Sequence, residues 1–136
     1  DTERARVFLD DLKVSEVSGR MPNLLMVHLG DDSDDALGMI VEGVSKSRFW
    51  PSTAIFAVDA GGPNAVLLVL SPFTRRSVVD RTPYNHSSVL RTIELILDLH
   101  PMTIFDAAAR PLGAAFASTL NTAPFTSEKP AERPIP

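Results

Sequence analysis

The chain has 136 residues, of which 44% are hydrophobic and 22% charged, which is enough apolar material for one ordinary core. Its net charge of -4, with no basic patch, argues against nucleic acid or an anionic membrane as a partner. The absence of cysteine excludes disulfides, thiolate catalysis and cysteine-ligated zinc, and no apolar run reaches the roughly 20 residues of a membrane helix.

The chain opens on "DTERARVFLDDL", which reads as the start of a fragment or processed product. Residues 2–18 predict an amphipathic helix with Ala5, Phe8, Leu9 and Leu12 on one face, and Gly19 suits the left-handed position just past its end. "NLLMVHL" (23–29) predicts a buried strand interrupted by His28. Residues 34–49 predict a second helix, with Leu37, Ile40, Val41 and Val44 inward and Ser33 or Asp34 as the N-cap. Residues 52–58 and 65–70 predict strands, the second apolar on both faces and so central in its sheet. Residues 85–99 predict a third helix with Val89, Leu90, Ile93, Ile96 and Leu97 inward, capped by Asn85, Ser87 or Ser88. "PMTIFDAAARPL" predicts a short helix bounded by prolines. The stretch 118–136, rich in Pro, Thr, Ser and Glu, predicts an extended or disordered tail, or one docked on another surface.

Alternating helices and apolar strands predict an α/β layered sandwich with a central, mostly parallel or mixed sheet. The six-residue connection 59–64 is too short for a parallel crossover and favours an antiparallel pair.

Candidate chemistry is sparse. No two of His28, His86 and His100 have metal-ligand spacing. Four aspartates, Asp31, Asp32, Asp34 and Asp35, surround Ser33, either as a metal-holding cluster or as a solvated cap of the next helix. Asp59 ends a strand beside a Gly-rich loop, where α/β sheets bind ligands, and a turn role fits it equally. Ser71 lies outside any nucleophile elbow. Arg75 and Arg76 could hold a phosphate through their planar forks, or be an exposed loop pair.

Three runs carry a resemblance: "SGRMPNLLMVHLGDD", "SRFWPSTAIFAVD" and "VLSPFTRRSVVDRTPYNHSSVLRTIELILDLHPMTIFDAAARPL". Together they resemble the C-terminal part of bacterial phosphoesterases of the phospholipase C and acid phosphatase type, in the alkaline-phosphatase-like superfamily. The resemblance covers nearly all of 1–117, leaving 118–136 as the tail. It implies hydrolysis of phosphate esters at a divalent-metal site near the strand ends, in a periplasmic or extracellular parent protein. Asp59 would be a metal ligand, with Asp31, Asp32, Arg75 and Arg76 at the pocket rim. The sequence departs from the family at two places. After Val58 only "DAGGPN" stands where relatives carry a second acid and histidines, and "GDD" runs straight into "SDDALG" where relatives carry a long loop. The resemblance therefore implies a portion inactive by itself, completed by an N-terminal half that brings the nucleophile and an acidic-Asn metal motif. The alternative is a non-catalytic interaction or structural module that kept the fold. A portion of a larger sheet is also expected to self-associate through its exposed edge.

Overall fold

The computed structural model describes residues 1–31, 33–59 and 65–129. They fall into two compact units, the described residues of 1–53 with 122–129 and those of 54–121.

In the first unit, α1 (Thr2–Ser18) ends as the sequence predicts: Gly19 adopts φ 71° and its N–H donates to Ser15 O. The expected face is inward, with Ala5 and Leu12 buried and Phe8 and Leu9 half-buried. Helix α2 (Asp34–Ser45) starts after Ser33 and buries Ala36, Ile40, Val41 and Val44. The two helices approach closely at Gly43, where a Cβ would run into Leu9 Cδ2. A 3₁₀ turn, Trp50–Ser52, follows and buries Trp50. Glu16 ties the two ends together, accepting Arg48 N–H at 3.1 Å, while its own carbonyl accepts Arg48 Nη1 at 3.0 Å.

Residues 23–29 form no strand. Leu24, Leu25, Met26 and Val27 are exposed, Met26 at 90%. The end of the stretch is tied to the start of α1 instead, with Arg4 Nη1 donating to His28 O at 2.9 Å and Gly30 N–H to Asp1 Oδ2 at 2.9 Å. An apolar run is a strand only if another strand pairs with it, and among the described residues none does.

The second unit holds β1 (Ile55–Val58) and β2 (Leu67–Leu70), paired antiparallel in the register Ile55↔Leu70 to Val58↔Leu67. This is the pairing that the short connection favours. It is the one sheet among the described residues, so the chain is α/β in the loose sense of mixing helices with a small antiparallel sheet. Among the described residues β2 has a single partner strand, β1, and Leu68 is 47% exposed, so the central, doubly covered position expected for residues 65–70 is not seen.

Helix α3 (His86–Ile96) is capped by Asn85, whose side chain accepts from Ser88 N–H. Its buried positions are Ser88, Thr92 and Glu94, whereas Ile96, expected inward, is 51% exposed. Helix α4 (Ile104–Ala108) carries a capping box between Thr103 and Asp106. A 3₁₀ turn, Gly113–Ala115, leads to Phe116, which bridges to Thr74.

Candidate functional site

The second unit contains three of the expected site residues. Asp59 follows β1, is exposed, and extends the ladder by donating its N–H to Val66 O at 3.0 Å. Arg75 is exposed and Arg76 half-buried. The Arg75 N–H donates to Ala115 O at 3.0 Å, which anchors this loop to the segment after α4. Asp31 belongs to the first unit, in an exposed bend before α2. Asp32 and residues 60–64 lie outside the described residues. Asp34 and Asp35 occupy the first turn of α2, where the helix dipole favours anions, so they act as helix-start residues.

Ser71 is buried in a hydroxyl turn. Its Oγ accepts from Phe73 N–H at 3.2 Å, and Thr74 Oγ1 bridges Ser71 N–H and Ser71 O at 3.0 and 2.9 Å. A hydroxyl so occupied shapes the loop that presents Arg75. His28, His86 and His100 are all exposed. Among the described residues no three His, Asp or Glu side chains gather as a metal would require. Asp59 could therefore supply one ligand of a divalent ion but does not form a site with its described neighbours. Among the described residues no helix is long and apolar enough to cross a membrane.

Two features escaped sequence reasoning. The first is the exposed cluster around Asp80. Its carboxylate accepts from Thr82 N–H at 3.0 Å, Thr82 Oγ1 at 2.7 Å and Tyr84 Oη at 3.0 Å. Hydrogen bonds from Thr82 chiefly hold its pKa below the ordinary carboxylate value, with Tyr84 and the Arg75 charge adding to them. The spacing "DRTPY" is the signal: an acid two residues before a hydroxyl makes an Asx turn.

The second is a buried acid pair. Glu94 and Asp106 are 2% and 1% exposed. Asp106 accepts from Met102 N–H and Thr103 N–H, both at 2.8 Å, and from the Thr103 hydroxyl. These bonds stabilise its charged form, led by the Thr103 hydroxyl, and hold its pKa well below the ordinary value. Glu94 has the opposite shift. Burial raises its pKa first, and contact with Asp106 raises it further. The nearest cation, Arg91 Nη1, stands 4.0 Å away. The two acids are thus pushed in opposite directions, Asp106 toward its charged form and Glu94 toward its neutral form.

Beside α3 lies an open, largely apolar cleft of about 250 Å³, lined by Thr92, Leu95, Ile96, Pro111, Leu112, Gly113 and Phe116. It presents no charged group, so it does not suit a phosphate.

No protein-family model, curated protein or solved structure matches the chain.

Proposed function

We propose that this chain is the C-terminal part of a divalent-metal-dependent phosphoesterase and is inactive by itself. The observation that carries the reading is the run "SPFTRR", "VVD", "Y" and "LRTIE" between Ser71 and Glu94, in the order and spacing of the alkaline-phosphatase-like phosphoesterases it resembles. In this reading Asp59 gives one ligand to a metal whose other ligands come from elsewhere in the complete gene product. Arg75, beside the anionic Asp80, and Arg76 would face the phosphate ester at the rim. The metal would polarise the phosphoryl oxygens. This chain's own residues would orient the ester and screen its charge. The complete domain would be a layered sandwich in a periplasmic or extracellular protein, its further strands adding to an edge of the β1–β2 pair.

The test is hydrolysis of p-nitrophenyl phosphate and bis-p-nitrophenyl phosphate by the complete gene product, with and without added divalent metals. Metal-dependent turnover of either is expected, with none from residues 1–136 alone. No metal-dependent turnover by the complete product overturns the activity.

One observation favours a second reading, a non-catalytic module. The β1–β2 ladder continues through Asp59 to Val66, and the sequence places only residues 60–65 between these two, a shorter connection than the site loop of the family it resembles. The gene sequence upstream separates the two readings: a hydroxyl nucleophile followed by an acidic-Asn motif supports the enzyme, and their absence supports the module.

A further inference from the structure

Residues 122–129 form neither helix nor strand, yet they are seated on α2. The Phe125 N–H donates to Ser45 Oγ at 2.9 Å, and that hydroxyl lies 3.4 Å from Phe125 O as a donor. The Phe125 ring meets Trp50 edge-on, with centroids 6.0 Å apart and planes at 82°. Two residues on, the N–H and hydroxyl of Ser127 both donate to Glu42 Oε2, at 3.1 and 2.5 Å. The other Glu42 oxygen accepts Lys46 Nζ at 2.6 Å, which fixes the carboxylate. Beneath Ser127 the helix carries Gly38, where a Cβ would stand 3.2 Å from Ser127 Cβ. This is a shallow groove that reads an extended segment: an aromatic ring against Trp50, then a hydroxyl residue two positions later on Glu42.

The groove and its occupant are 80 and 85 residues apart in sequence. No local constraint selects the tail of the same chain over an identical tail from another. We propose that the α2 groove also takes residues 122–129 of a second copy, so that two chains exchange tails and form a reciprocal dimer. Every contact made within one chain is remade between two, so exchange gives up none of them. What favours the closed monomer is the tether, equivalent to a tail concentration on the order of millimolar. Exchange is therefore a high-concentration property, and it uses a different surface from the sheet edge.

Lys13 is exposed on α1, its side chain at 75%, and the chain has no cysteine, so Lys13→Cys gives a single dye site. Donor- and acceptor-labelled chains are mixed at concentrations rising to about 1 mM, and energy transfer is read with and without excess synthetic peptide of sequence TAPFTSEK. Transfer should grow with concentration and fall several-fold with the peptide. The same peptide carrying Phe125→Ala should leave it unchanged, and Gly38→Ala in the protein should lower it. No transfer across the range overturns the proposal. Transfer that ignores the peptide also overturns it, because the association then uses another surface.

Discussion

Replacing Thr92 with valine tests the packing that positions the second unit's helices. The Thr92 hydroxyl donates to Ser88 O at 2.7 Å and accepts the Leu112 N–H at 2.9 Å. Thr92 is 5% exposed and Leu112 1%, so water does not replace a lost partner. Valine keeps the branched shape and nearly the same helix propensity. The substitution therefore removes one hydroxyl and leaves a buried N–H without an acceptor, at a cost of roughly 1–3 kcal/mol. Serine keeps the hydroxyl and removes one methyl, at about 0.8 kcal/mol. Thr92→Val should be the less stable variant in urea unfolding, with its midpoint lowered by about 1 M for a 2 kcal/mol loss at a slope of about 2 kcal/mol per M. Amide exchange gives a direct readout, because the Leu112 N–H should exchange faster in Thr92→Val and not in Thr92→Ser. A valine variant within about 0.5 kcal/mol of the parent, or more stable than the serine variant, refutes the reasoning.

Glu94 has a raised pKa in the folded chain, so its deprotonation costs stability as pH rises above the ordinary value of 4.5. Asp106 is lowered, so its contribution is present above 3.8 and is lost as pH falls below that. Thermal melts from about pH 4 to about pH 8 should show Glu94→Gln gaining on the parent as pH rises; a parent that holds level with the variant contradicts the pair. Glu42 is lowered from 4.5 to about 2, by Lys46 first and then by Ser127, so tail docking should persist through mild acid and weaken as pH falls from 4.5 toward 2. Trp50 fluorescence, which reports contact with Phe125, follows this; a transition near neutral pH would contradict it. Gly43→Ala places a methyl against Leu9 at the α1–α2 contact and should cost about 1–2 kcal/mol, recovered in part by Leu9→Ala in the double variant. Simple additivity of the two losses would show that they do not share the contact.

The sequence was legible where local chemistry decides the outcome. Helix α1 begins and ends where its apolar spacing and Gly19 place it, and Asn85 caps α3 because its short side chain reaches the Ser88 N–H. It was not legible where pairing across the fold decides. Residues 23–29 have a strand's composition, but strand formation rests on a partner that periodicity does not reveal. On α3 apolar spacing did not give the most buried positions: Val89, Leu90, Ile93 and Leu97 are half-buried and Ile96 is exposed, while Ser88 and Thr92 are buried with their hydroxyls hydrogen-bonded and Glu94 is buried with its pKa raised. Residues 122–129 form neither helix nor strand, and one aromatic residue, Phe125, in an otherwise polar stretch is the one that meets Trp50. Of the four clustered aspartates, Asp34 and Asp35 start a helix and Asp31 sits in an exposed bend.

The proposal that this chain is part of a phosphoesterase makes Asp59 a metal ligand, and that role is open to direct test. The decisive measurement is the divalent-metal concentration giving half-maximal phosphate-ester hydrolysis in the complete gene product, with and without Asp59→Asn. Loss of a ligand should raise that concentration by at least about 10-fold. A variant that hydrolyses the ester with unchanged metal dependence contradicts the account.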